Sequence, residues 1–177
     1  MRISIFGLGY VGAVSAGCIA ADRHQVIGVD VVADKVNLIN SGVSPVIEAE
    51  IGDIVEEVVR SGNLRATQDP AAAIQETDLS FVCVGTPSQA NGNLDVRYIR
   101  RICEQIGDAL RTKESGHTVV IRSTILPGTI RKIVIPILEQ FSAKKAGVDF
   151  GVCSNPEFLR EGSAVRDFRC PPKTVIG

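Results

Sequence analysis

At 177 residues, 45% of them hydrophobic, the chain can bury one substantial core but not two comfortable ones. Its 19 Lys and Arg balance 20 Asp and Glu without a basic block, so the electrostatic footprint of a nucleic-acid binder is missing and no nucleic-acid partner is expected. No apolar run reaches membrane-spanning length, so no membrane association is expected and a soluble protein is.

The opening run with Ile3, Ile5 and Phe6 predicts a strand that enters the turn Gly7-Leu8-Gly9-Tyr10-Val11-Gly12. A helix over Val14 to Ala21 follows, and a second strand, Val26-Ile27-Gly28-Val29, ends at Asp30. Strand, glycine turn, helix, strand and acid form the pattern of a dinucleotide site. Gly7 allows the tight turn, Gly9 lets backbone N–H groups approach a pyrophosphate, and Gly12 lets helix and strand pack closely. The phosphates would sit at a helix N-terminus, where unpaired N–H groups and the helix dipole favour an anion. Asp30 would accept hydrogen bonds from the adenosine ribose and repel a 2′-phosphate, so the expected cofactor is NAD. Tyr10 and Val11 in the turn and Lys35 in the next helix are assigned to the same cofactor site. Glycine pairs at this spacing also occur in ordinary turns, but here every flanking element is in place. A signal peptide is the other reading of Arg2 followed by an apolar stretch, and glycines at 7, 9, 12 and 17 argue against it.

Beyond Asp30, Ala33 to Asn40 predicts a short helix closed by Gly42, then an extended Ser44 to Ile47, a helix over Ile51 to Arg60 closed by Gly62, and a strand over Leu64 to Thr67. Asp69-Pro70 starts a helix through Ile74. The apolar run Leu79 to Val84 reads as a strand covered on both faces. It leads into Gly85-Thr86-Pro87 and a polar turn over 88–93. Asp95 caps a helix with Val96, Ile99, Ile102, Ile106 and Leu110 on one face. Thr118 to Ile121 is a further buried strand, followed by Arg122-Ser123-Thr124 and Pro127-Gly128-Thr129. A helix over Ile130 to Phe141 should bend at Pro136. Val148 to Cys153 is the last strand, delivering Ser154-Asn155-Pro156-Glu157.

Alternating strands and helices predict an α/β fold, a doubly wound parallel sheet of the Rossmann NAD-binding type over residues 1–177. In such a sheet the ligand lies beyond the carboxyl ends of the strands. The five strand ends at Gly7 to Gly12, Asp30, Gly85 to Pro87, Ser123-Thr124 and Asn155 to Glu157 should therefore line one cleft. Taken singly, each could be an ordinary turn. The five cysteines, 18, 83, 103, 153 and 170, show no metal-binding spacing, and no metal site is expected. Four of them lie in apolar segments as small core residues, which fits a reducing cytoplasm.

The segments Ile3 to Gly12, Val84-Gly85-Thr86-Pro87, Arg122-Ser123-Thr124 with Pro127-Gly128-Thr129, and Asn155-Pro156-Glu157-Phe158-Leu159-Arg160-Glu161-Gly162 resemble the nucleotide-sugar 6-dehydrogenase family. Ala143 to Phe150 and Pro171 to Gly177 look most like its GDP-mannose branch, whose product feeds alginate synthesis. The family oxidises a sugar C6 alcohol to a carboxylate in two NAD-dependent hydride transfers through a cysteine-bound thiohemiacetal and thioester. The resemblance implies that Thr124 and Glu157 lie near the reacting carbon and its water, that Glu161 helps position substrate or water, and that Thr86 and Thr124 contact the cofactor. Glu161 could equally be a helix-start carboxylate facing the dipole. The resemblance also implies a nucleotide-sugar substrate, GDP-mannose or a UDP-sugar, and a homodimer for the full-length protein.

Arg23 stands where the family usually has a helix-ending glycine, and Ala49-Glu50 where a Pro-Gly pair is common, so the loop near the cofactor is expected to differ in shape. The family's central helix, its C-terminal substrate domain and its nucleophilic cysteine are expected outside this chain. Cys170-Pro171-Pro172-Lys173 imitates that nucleophile's surroundings without the flanking glycines. Two other readings of the site remain at this point. One is a Rossmann module that only senses NAD(H), which has no use for Ser123-Thr124 or Asn155 to Glu157. The other is a β-hydroxyacid dehydrogenase, which the Phe158 to Gly162 continuation argues against.

Overall fold

A computed structural model of the chain describes residues 1–89 and 92–177. Six strands form one sheet: β1 (Arg2–Phe6), β2 (Gln25–Val29), β3 (Leu64–Thr67), β4 (Leu79–Val82), β5 (Thr118–Ile121) and β6 (Gly151–Ser154). They pair in the order β3-β2-β1-β4-β5-β6, every pair parallel. The order reverses between β1 and β4, so a crevice opens beyond the carboxyl ends of those two strands. The connecting helices are α1 (Tyr10–Ala21), α2 (Ala33–Asn40), α3 (Ile51–Arg60), α4 (Pro70–Glu76), α5 (Arg97–Arg111), α6 (Ile135–Ser142) and α7 (Ala164–Arg169).

Each face of the sheet has its own core, because parallel strands must be covered on both sides. Ile3 and Ile5 pack with Val14, Val55 and Leu64 under α1 and α3. Phe6 and Val82 pack with Ile99, Ile106, Ile121 and Leu138 under α5 and α6. Asp69 caps α4 by accepting from the Ala71 and Ala72 amides. The N-cap of α5 is Val96, with Asp95 one residue earlier accepting from the Arg97 amide at 3.0 Å.

Several expectations need correction. The strand expected over 79–84 ends at Val82, where Ser123 ties down the next turn by donating to Val84 O at 2.6 Å. The strand expected from Val148 starts at Gly151; Val148 is 80% exposed in a tight turn that Gly147 closes with φ +80°. The helix expected over Ile130 to Phe141 is in two parts, a π-helical turn over Ile130–Val134 followed by α6. Pro136 has no N–H to give the preceding turn and its ring crowds the carbonyl there, so the ladder widens before it. Cys18, Cys83 and Cys103 are buried as expected, but Cys153 is only half-buried. The polar turn over 88–93 includes Ala90 and Asn91, which lie outside the described residues; around them Ser88 bridges Leu94 in antiparallel sense. No helix among the described residues is long and apolar enough to cross a membrane.

The two departures do not share one loop near the cofactor: Arg23 lies between α1 and β2 at the amino ends of the strands, away from the cleft, and Glu50 precedes α3. Arg23 and Glu50 adopt φ +64° and +65°, the left-handed conformation a glycine would supply. Each side chain therefore sits on strained backbone. Replacing either residue by Gly should stabilise the fold by roughly 1 kcal/mol, read as a higher midpoint in urea. A lower midpoint for both variants would show that the side chains' contacts, such as Arg169 beside Glu50 at 3.6 Å, outweigh the strain.

Candidate active site and cofactor cleft

The glycine turn is held from both sides. Gly7 donates to Val29 O at 2.8 Å and has φ +94°. A Cβ on Gly12 would fall 1.7 Å from Gly7 O, so the turn can only close on a bare α-carbon there. A Cβ on Gly9 would meet nothing within 4 Å, because Gly9 faces the open cleft. α1 starts at Tyr10 with no side-chain cap and no acidic residue in its first turn. Its orphan N–H groups and dipole are thus left for an anion in the crevice.

Asp30 directly follows β2, with its side chain only 8% exposed. It accepts from the Leu8 amide at 2.7 Å, from the Val32 amide at 2.9 Å and from Lys35 Nζ at 3.4 Å. A carboxylate can accept about four hydrogen bonds, so capacity remains for a ribose hydroxyl. Beside Asp30 a mostly apolar slot is lined by Val29, Val84, Tyr98, Arg101 and Ile102, the shape and chemistry that suit a flat base. Ile102, on the apolar face of α5, is half-buried against the core and also lines the slot.

The other half of the crevice is walled by Gly9, Tyr10, Val11, Gly85, Thr86, Arg122, Thr124 and Glu157. Thr86 donates its hydroxyl proton to Thr124 O at 2.7 Å, which joins the loops after β4 and β5. Its oxygen keeps its acceptor lone pairs for a ligand. Glu157 is half-buried and accepts from the Leu159 amide at 2.6 Å, so its carboxylate is fixed at the cleft. Cys83 also lines this wall, but burial pushes its thiol up to about 12, which makes it inert as a nucleophile. Glu161 is exposed in the turn before α7, outside the helix.

The Arg122 guanidinium lies 5.8 Å from the Phe81 ring centre and 5.6 Å from that of Phe168, and donates to Asn155 Oδ1 at 2.6 Å. Asn155 in turn donates to Val175 O at 2.9 Å. The chain thus ties β5, β6 and the terminal segment around a second hollow, lined by Asn155, Phe158, Phe168 and Lys173 and sharing Arg122 and Glu157 with the first. No cluster of metal-ligating side chains occurs among the described residues.

The whole chain, residues 1–177, matches the model of the UDP-glucose/GDP-mannose dehydrogenase family, NAD binding domain. The chain belongs to that family. Its similarity to GDP-mannose 6-dehydrogenase of Azotobacter vinelandii is 58% identity over 100% of this chain and 41% of that protein. To UDP-glucose 6-dehydrogenase AglM of Haloferax volcanii it is 38%, again over 100% of this chain and 41% of that protein. Among solved structures, a ternary complex of GDP-mannose dehydrogenase from Pseudomonas aeruginosa superposes with a TM-score of 0.99 at 56% identity, over 100% of this chain and 41% of that one. The chain thus spans about two fifths of the length of the relatives it matches.

The dehydrogenase family's cofactor is NAD, and the residues present fit it: an uncapped helix start behind a bare Gly9, a carboxylate at Asp30 that could accept from a ribose, and an apolar slot that could take the base. All the residues expected at the cofactor site, Gly7, Gly9, Tyr10, Val11, Gly12, Asp30, Lys35, Thr86 and Thr124, fall on the carboxyl edge of the sheet. Tyr10 differs in detail, because its phenol turns to Glu48. Sequence reasoning missed Glu48, Arg101 and the slot formed by Tyr98 and Ile102. A single glutamate in a loop carries no local signal, and the α5 pattern shows only which residues face inward.

Proposed function

We propose that this chain is the cofactor-binding domain, residues 1–177, of an NAD-dependent GDP-mannose 6-dehydrogenase that converts the sugar C6 alcohol to a carboxylate. The single observation that carries the reading is the match over the whole of this chain, at 58% to a GDP-mannose 6-dehydrogenase against 38% to a UDP-glucose 6-dehydrogenase. NAD, when bound, supplies the hydride acceptor. Thr124 stands at the mouth of the cleft with its hydroxyl free to turn toward the sugar, and Glu157 is held by the Leu159 amide with one oxygen left to take a proton from water. Glu161, one turn outward, positions substrate or water. The remaining wall of the sugar site and the nucleophilic thiol come from segments beyond these residues, and the complete protein works as a cytoplasmic homodimer.

Protein carrying this domain together with those segments should form two NADH per GDP-mannose consumed, with UDP-glucose a poor substitute. Glu157→Gln should slow release of the acid more than the first oxidation, leaving a covalent sugar adduct visible by mass spectrometry. Preference for UDP-glucose would overturn the substrate assignment. Loss of the first oxidation without any adduct would overturn the role given to Glu157.

A further inference from the structure

Glu48 lies in the loop between α2 and α3, yet its carboxylate binds residues far away in sequence. It accepts the phenol proton of Tyr10, the Gly162 amide at 2.7 Å and the Ala164 amide at 3.2 Å. Tyr10 is the first residue of α1 and part of the cofactor turn, while Gly162 directly follows Glu161 and Ala164 opens α7. One carboxylate thus clasps the turn that receives the phosphates and the loop that presents Glu157 and Glu161.

The inner side of the same loop has a separate fastening. Asp167 accepts from the Arg160 amide at 3.1 Å, from Arg160 Nη2 at 2.8 Å and from Ser163 Oγ at 3.1 Å. That ring closes the loop on itself and says nothing of where it sits over the cleft. Ala164 and Val165, buried in the core on the α1 side, hold the loop's far end, and Glu48 adds the polar link to the cofactor turn. Charge-assisted hydrogen bonds to a carboxylate are the strong ones, and the Glu48 carboxyl is held below its usual range with the Tyr10 bond as the main cause. Burial, with Glu48 alongside, pushes the Tyr10 phenol up to about 12, so it stays a donor.

We propose that Glu48 is a positioning residue that locks the 157–164 loop to the cofactor turn through Tyr10, so that binding NAD and presenting Glu157 and Glu161 are coupled events. The coupling rests on the cofactor reading above; the clasp itself does not.

The test is amide hydrogen exchange by NMR on the 177-residue chain with and without NAD, alongside NAD titrations. In the unmodified chain the Gly162 and Ala164 amides should be protected, and NAD should protect them further. Glu48→Gln should speed their exchange about tenfold or more while sheet amides are unchanged, since two or three hydrogen bonds to a charged acceptor are weakened. Tyr10→Phe should leave the apo protection largely in place but abolish the gain on adding NAD, and the Glu48→Gln/Tyr10→Phe double variant should bind NAD no more weakly than the worse single one. A purely local role for Glu48 would not move the NAD-dependent part. Unchanged Gly162 and Ala164 exchange in Glu48→Gln would overturn the clasp. NAD binding by the unmodified chain without added protection there would overturn the coupling, whereas failure of the unmodified chain to bind NAD would overturn the cofactor reading instead.

Discussion

Gly9→Ala should keep the stability of the chain and lose its cofactor, while Gly12→Ala should lose both. The added methyl at Gly9 meets no protein atom within 4 Å, and the backbone there, at φ −77°, suits alanine. Alanine gains by restricting the unfolded chain and loses as an N-cap, so the net change in stability should be within about 1 kcal/mol. The same methyl stands in the space a pyrophosphate must occupy to reach the α1 amides. NAD affinity should fall by roughly tenfold to a hundredfold, the 1–3 kcal/mol expected of one forced overlap. At Gly12 the methyl would lie 1.7 Å from the Gly7 carbonyl oxygen, a backbone atom that no rotamer change can move. The turn must open, at a cost of about 3 kcal/mol or more and a fall in melting temperature of roughly 6–12 °C. Calorimetric titration and thermal melts on the two variants separate the outcomes. If Gly9→Ala bound NAD as well as the parent chain, the phosphate path assigned to this turn would be wrong.

The second large effect is acid lability centred on His117. This histidine is 3% exposed at the start of β5, and its ring closes a buried polar ring at the amino ends of the strands. Its Nδ1 lies 3.1 Å from Thr77 O, a pure acceptor, so Nδ1 carries the proton. Nε2 must then accept, and Ser80 Oγ at 2.7 Å donates to it while Ser4 Oγ, 2.6 Å from Ser80 Oγ, continues the chain. The neutral ring is satisfied on both nitrogens; a charged ring would have a second proton facing a hydroxyl already held by its neighbours. Burial pulls the His117 pKa down to about 4, with the Thr77 carbonyl opposing it. The unfolded chain, titrating near 6.5, therefore takes up this proton first, so stability is full above pH ~6.5 and is lost as pH falls toward 4. The loss should reach about 3 kcal/mol at pH 4. Urea unfolding at several pH values would measure it, and His117→Asn should remove most of the slope between pH 6.5 and 4. An unchanged slope in that variant would assign the lability to carboxylates.

The bounds of α2, α3, β3 and β5 were legible because their signals are local: an apolar period, a glycine just past the end, a run of β-branched residues. The same holds for Gly7, Gly9, Gly12 and Asp30, whose spacing is itself the evidence. Where the expectation failed, the cause was tertiary or reached along the chain. Val148 is apolar and next to a strand, but the Gly147 turn throws it outward. Pro136 was legible as a bend, but its effect falls on the turn before it, over Ile130–Val134. Arg23 and Glu50 were noted as non-glycines, yet only the backbone shows that they keep the glycine conformation. Glu48 finds its amide partners 114 and 116 residues later, a distance over which no local pattern can speak.

The central place of β1 bears on how the chain comes to be folded. Ile3 pairs with Val26 on one side and with Leu79 on the other. As the chain emerges from the ribosome, its first three strands can meet early, since their partners are close in sequence. The second edge of β1, with Ile3, Ile5 and Phe6, stays bare until β4 has been synthesised. Such an uncovered, apolar parallel edge is prone to pair with other nascent chains, and adding β4 only moves it outward: residues 68–78 separate β3 from β4, whereas the much longer stretch 83–117 separates β4 from β5, so the aggregation-sensitive interval of synthesis should be the one in which Leu79 to Val82 wait for Thr118 to Ile121.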